Sequence, residues 1–108
     1  PNAIKINIVA VKKDKIDEYK KIHANVWPDM FEALRRCGWH NYSLFMHNDG
    51  TLFGYFETPH DLQTAIEAMN NEDINTKWQN MMAPFFESPN GARADEILVE
   101  MEEVFYTE

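Results

Sequence analysis

Trp39-His40-Asn41-Tyr42-Ser43-Leu44-Phe45-Met46-His47, then Asn48-Asp49-Gly50, then Thr51-Leu52-Phe53-Gly54-Tyr55-Phe56-Glu57 is the stretch that decides the fold. Two aromatic-rich runs flank an Asp-Gly pair, whose tolerance of left-handed backbone closes β-hairpins. Alternation puts Tyr42 on one strand face with His40, Leu44 and Met46, and puts Asn41, Ser43 and Phe45 on the other. The question is then what lies on either side of this antiparallel pair, and which of its faces is covered.

Upstream, Ile4-Lys5-Ile6-Asn7-Ile8-Val9-Ala10-Val11 alternates and then turns apolar, as a strand does. Asp14 is positioned to cap a following helix, with Asp17 in its first turn, and Ile16, Tyr19, Ile22 and His23 form its inner stripe. Pro28 disfavours helical backbone at Trp27 and opens a second helix through Met30, Phe31 and Leu34 to Cys37, which Gly38 stops. Downstream, Thr58-Pro59-His60-Asp61 opens a helix, with the Thr58 hydroxyl as its cap and Pro59 at its first position, and Leu62, Ala65, Ile66 and Met69 are its buried stripe. After Asn70-Asn71, another helix carries Ile74, Trp78, Met81 and Met82 and ends near Pro84. Glu87 to Arg93 is a polar loop, and Glu96 to Tyr106 is expected to be the last strand. The order β, broken α, β, β, broken α, β is the ferredoxin-like βαββαβ pattern of an α+β fold, with helices on one face of an antiparallel sheet. The other face then needs cover, and a second copy of the chain is expected to supply it. We read residues 1–108 as a single domain.

Composition narrows the function. With 18 acidic against 10 basic residues the net charge is −8, which disfavours nucleic acid and anionic membranes as partners. No apolar run approaches the roughly 20 residues of a membrane span, and no signal peptide is read before Ile4. Cys37 is the one cysteine, so there is no disulfide framework and no Cys metal cluster, in keeping with a cytoplasmic protein.

No phosphate loop, His-Glu-x-x-His or nucleophile elbow is present. Tyr19, His23, Tyr42 and Trp78 remain as the residues that could carry chemistry. Tyr19 and His23 stand four apart on one helical stripe, and the jog at Trp27-Pro28 beside them leaves room for a ligand. On this evidence His23 fits a hydrogen-bonded core residue as well as a group exchanging protons near neutrality. Tyr19 and Tyr42 could equally be amphipathic filler, and Trp78 could be core. His40 is a weaker candidate; His47 and His60 are solvated positions. No second His or carboxylate sits at ligand spacing from His23, so no metal is expected.

The segment Tyr19-Lys20-Lys21-Ile22-His23-Ala24-Asn25-Val26-Trp27-Pro28 resembles the L-rhamnose mutarotase family. Gly38-Trp39-His40-Asn41-Tyr42-Ser43, Lys77-Trp78 and Glu103-Val104-Phe105-Tyr106 carry the likeness through essentially the whole chain. The resemblance implies a dimeric α/β barrel of ferredoxin-like subunits, each holding a monosaccharide pocket. It also implies that His23 is the proton donor and that Tyr19 and Tyr42 contact the sugar. Trp78 would be the first member of an aromatic pair. Gln79 stands where the family has a second Trp, so a related 6-deoxy sugar such as L-fucose comes into view beside L-rhamnose. Interconverting α and β pyranose anomers is acid–base chemistry with no redox step, and no cofactor is implied. Two other readings remain open: a haem- or quinone-type oxygenase of the same dimeric fold, and a non-catalytic sugar-binding module.

Overall fold

A computed structural model describes residues 2–87 and 98–108. The elements are β1 (Asn2–Ile8), α1 (Ile16–His23), α2 (Pro28–Arg36), β2 (His40–Met46), β3 (Leu52–Thr58), α3 (Leu62–Asn70), α4 (Asp73–Met82) and β4 (Val99–Glu100), with short 3-10 turns at Lys13–Lys15 and Ala83–Phe85. The sheet runs β2-β3-β1-β4 and all its pairings are antiparallel. Chain order and strand order together are those of the ferredoxin-like α+β fold.

Strand alternation determines which side of the sheet becomes the core. Ile4, Ile6 and Ile8 of β1 and Leu52 and Phe56 of β3 point one way and are buried. Against them pack Tyr19, Met30, Ala33, Ala65, Met69, Trp78 and Met82 from the four helices. The opposite face carries Phe45, Phe53 and Val99, which stay exposed.

The hairpin forms, with a loop longer than a two-residue turn. His47 N–H donates to Thr51 O and Gly50 N–H to His47 O, while Thr51 N–H donates to Asp49 Oδ1 at 2.9 Å. Gly50 has φ +94°, and a Cβ there would collide with the carbonyl oxygen of Val11. Val11 N–H in turn donates to Gly50 O at 2.9 Å. Glycine is therefore required twice over, by the turn and by the chain crossing it. Gly38, at φ 81°, ends α2 as expected, and Trp39 N–H donates back to Leu34 O.

Three expected details differ. Asp14 lies in a 3-10 turn and caps nothing; Lys15 precedes α1 with no side-chain capping bond. Helix α3 begins at Leu62, capped by Asp61, whose Oδ1 accepts from Thr64 N–H at 2.8 Å. Thr58 instead accepts from His60 N–H, because Pro59 and His60 form a bend before the helix can start. Among the described residues of the last strand only Val99–Glu100 pair with β1, and residues 101–108 continue without regular structure. Past Glu100, Met101 N–H still donates to Lys5 O at 2.7 Å, and Val104, Phe105 and Tyr106 are exposed. Residues 88–93 of the polar loop and residues 96–97 of the expected strand lie outside the described residues.

Candidate active site

Helix α1 ends at His23, one turn after Tyr19. The four-residue spacing stacks their rings, with centroids 3.9 Å apart and planes 24° from parallel. The same spacing brings His23 Nδ1 to 2.9 Å from the backbone oxygen of Tyr19. A carbonyl oxygen only accepts, so Nδ1 carries the hydrogen and donates. That fixes the tautomer: in the neutral ring Nε2 is the basic nitrogen, the one that can meet a ligand.

Burial lowers the pKa of His23 below its ordinary 6.5, and the bond to Tyr19 O opposes this only in part. The imidazole is therefore mostly neutral at pH 7 and acts first as a base. Tyr19 is buried, and burial, aided by the nearby Tyr42 phenol, pushes its pKa up. Its hydroxyl stays protonated and offers a hydrogen to a ligand oxygen.

Trp78, on α4, stands edge-on to His23 with ring centroids 5.3 Å apart, and Trp27 packs edge-on against Trp78 at 5.1 Å. The Trp27-Pro28 jog thus places Trp27 as a brace for Trp78. Tyr42 comes from β2 and packs on Trp39 and Phe56, themselves stacked at 3.9 Å. Tyr19, His23, Tyr42, Trp78 and Gln79 all line one cavity of about 850 Å³, within the range of about 300–1,000 Å³ usual for small-ligand sites. All five residues singled out in the sequence therefore meet in one cavity.

His40 does not share Tyr42's face. It pairs with Glu57 on the outer side of the sheet and is exposed, because an extra residue interrupts the alternation of β2. It still borders the cavity, but not as a neighbour of Tyr42 on the strand.

Asn75 escaped notice in the sequence. It lines the cavity and is 2% exposed; its Nδ2 donates to Met69 O at 3.2 Å, which turns Oδ1 toward Gln79 Nε2 at 3.3 Å. Because Met69 O can only accept, the orientation of both amides follows: Gln79 spends an N–H on Asn75 and keeps Oε1 as an acceptor. The signal was its place three residues before Trp78 and four before Gln79, on one helical face. Among the described residues no group of three or more His, Cys, Asp or Glu side chains could hold a metal ion.

A stacked phenol–imidazole pair facing an indole across a cavity suits a sugar, whose C–H faces pack on rings and whose hydroxyls need polar edges. Comparison with known proteins agrees. A family model described as L-rhamnose mutarotase matches residues 5–107. The chain belongs to the L-rhamnose mutarotase family. An L-rhamnose mutarotase of Bacillus subtilis (strain 168) is 33% identical over 103 residues, covering 94% of this chain and 95% of that protein. One from Listeria monocytogenes serovar 1/2a is 38% identical over 92 residues, covering 83% and 84%. The crystal structure of L-rhamnose mutarotase FA22100 from Formosa agariphila superposes with a TM-score of 0.77 at 26% identity, covering all of both chains.

Proposed function

We propose that this cavity opens and recloses the pyranose ring of L-rhamnose, interconverting its α and β anomers. The observation that carries the reading is the neutral His23 ring, its Nδ1–H tied to Tyr19 O and Nε2 left for a ligand in a cavity shared with Tyr42 and Trp78. Nε2 takes the proton of the anomeric hydroxyl. The C1–O1 bond becomes a carbonyl as the bond from C1 to the ring oxygen breaks. The ring oxygen leaves as an alkoxide and takes a proton back from Nε2. Both oxygens are attached to C1, so one nitrogen reaches both, and His23 is base and then proton donor in each turnover. The aldehyde turns about the C1–C2 bond, and the same steps in reverse close the ring on its other face.

Tyr19, whose raised pKa keeps it a donor, stabilises the negative oxygen in this scheme. Tyr42 and Trp78 hold the sugar, and Gln79 presents Oε1 to a hydroxyl. Polarimetry tests the reading: crystalline α-L-rhamnose is dissolved and its rotation followed to equilibrium. A relaxation rate rising in proportion to added protein supports it; a rate equal to that in buffer for L-rhamnose and for L-fucose defeats it.

The base role fixes a pH dependence. With its pKa below the ordinary 6.5, His23 is in the active neutral form at pH 7 and above. The protein-dependent exchange rate, corrected for buffer, is expected to be level above neutrality. It then falls about tenfold per pH unit below the lowered pKa. A rate that rises on acidification would show the cation to be the entering species. Stability follows the same sign: the unfolded chain binds this proton first, so stability is lost as pH falls from the ordinary value through the lowered one.

Pairing with a second copy belongs to the same proposal. Phe45, Phe53 and Val99 leave the outer sheet face apolar and exposed, and Val104, Phe105 and Tyr106 extend beyond the sheet, also exposed. A second subunit laid on this face covers both. Sedimentation equilibrium is expected to give twice the 12.7 kDa chain mass; a single-chain mass at micromolar concentration would contradict it. Residence in the cytoplasm completes the reading and is supported by the free thiol of Cys37.

A further inference from the structure

Asn75 lies in the first turn of α4, 2% exposed, in the wall of the cavity. An apolar side chain of similar size would fill this place without drawing an amide out of water. The junction of α3 with α4 does not call for the amide either. Met69 O, which accepts from Asn75 Nδ2 at 3.2 Å, also accepts from Glu72 N–H at 3.0 Å. The last turn of α3 therefore keeps a donor without Asn75.

What the amide does settle is a direction. Turned over, it would set Asn75 Oδ1 against Met69 O, two acceptors only 3.2 Å apart. With Nδ2 held there, Oδ1 faces Gln79 Nε2 at 3.3 Å, one helical turn further on. A glutamine with a free end turns either its nitrogen or its oxygen to a ligand, whichever suits. Gln79 is half-buried in the cavity wall, and its nitrogen arm is engaged by Asn75. Oε1 is the arm left for a ligand.

We propose that Asn75 is a positioning residue for sugar selection: held by Met69 O and bonded to Gln79 Nε2, it fixes the oxygen arm of the Gln79 amide toward the ligand. The site then selects a sugar whose hydroxyl at that point donates its hydrogen. A group of similar size that can only accept is rejected there. Asn75 is almost wholly covered and acts through Gln79. The inference rests on the reading of the cavity as a sugar site and gives that site a hydrogen-bonding sense.

Fluorine is the probe, since it is close to a hydroxyl in size and cannot donate. Dissociation constants are measured by NMR titration for L-rhamnose and for derivatives whose hydroxyl at C2, C3 or C4 is replaced by hydrogen or by fluorine. In the parent, one of these positions is expected to give a fluoro sugar bound about 10-fold more weakly than L-rhamnose. It is also expected to bind more weakly than its deoxy counterpart, because hydrogen only loses a bond whereas fluorine sets two acceptors together. In Asn75→Leu nothing holds the Gln79 nitrogen, and the amide turns an N–H to the fluorine. At that position the order reverses: the fluoro sugar binds more tightly than the deoxy sugar, within about threefold of L-rhamnose. A merely structural role for Asn75 would weaken all the sugars alike and leave the order as it was. An order in folded Asn75→Leu identical to the parent's overturns the proposal. Fluorine binding better than hydrogen at all three positions of the parent overturns it too, and needs no variant to fold. A parent that binds none of these sugars defeats the sugar reading itself, and the proposal with it.

Discussion

His23→Ala is expected to lower the protein-dependent anomer exchange rate about 10²–10⁴-fold, the usual contribution of one positioned acid–base group. The loss should fall on kcat far more than on KM, because proton transfer belongs to the transition state and Tyr42, Trp78 and Gln79 still line the cavity. The fold should survive. His23 is the last residue of α1 and only half-buried, and its removal leaves Tyr19 O at a helix end where other groups can satisfy it. Circular dichroism and a melting curve, taken beside the kinetics, separate the two effects. His23→Ala with parental kcat and a parental melting curve would remove His23 from the mechanism.

Phe56→Ala is expected to be the most damaging single change to stability. Phe56 is 0% exposed, stacks on Trp39 at 3.9 Å and stands opposite the extra residue of β2, beside Tyr42. Removing a buried ring of this kind costs about 3–5 kcal/mol, a large part of the roughly 5–15 kcal/mol that holds a domain together. The melting temperature should drop by at least about 12 °C for a chain near this size. Because Trp39 and Tyr42 lose their shared neighbour, exchange activity should fall even below the new midpoint of unfolding. A drop of only a few degrees would show that the Trp39 and Tyr42 rings close over the void.

Much of this was legible before any coordinates. The hairpin announced itself through Asp49-Gly50 between aromatic runs, and Gly38 marked the end of α2, because both positions depend on local backbone preference. The pairing of Tyr19 with His23 was legible for a similar reason: helix geometry alone stacks residues four apart. Their meeting with Trp78 in one cavity is a long-range fact that spacing does not encode; there the likeness of the whole chain to a family carried the expectation.

Where the sequence misled, a local rule lost to a tertiary one. Strict alternation put His40 beside Tyr42, yet one residue in a left-handed conformation, Asn41, reversed the phase of the strand. Asp14 and Thr58 looked like caps, but the helices begin later, at Ile16 and Leu62. The stretch ending in Val104-Phe105-Tyr106 had strand propensity, yet among its described residues only Val99–Glu100 form strand pairs, because β-structure needs a neighbour as well as suitable side chains. Asn75 was invisible because a polar residue on a helix reads as surface until its burial is known.

Anomer exchange at equilibrium is the most direct readout of the His23 chemistry. Saturation-transfer NMR would irradiate the H1 signal of one L-rhamnose anomer and follow the other with and without protein. Transfer is expected to grow with protein concentration for the parent and to stay close to the buffer level for a folded His23→Ala. Transfer no greater with parent protein than in buffer, while calorimetry shows the sugar bound, would contradict that chemistry and leave a binding module in its place.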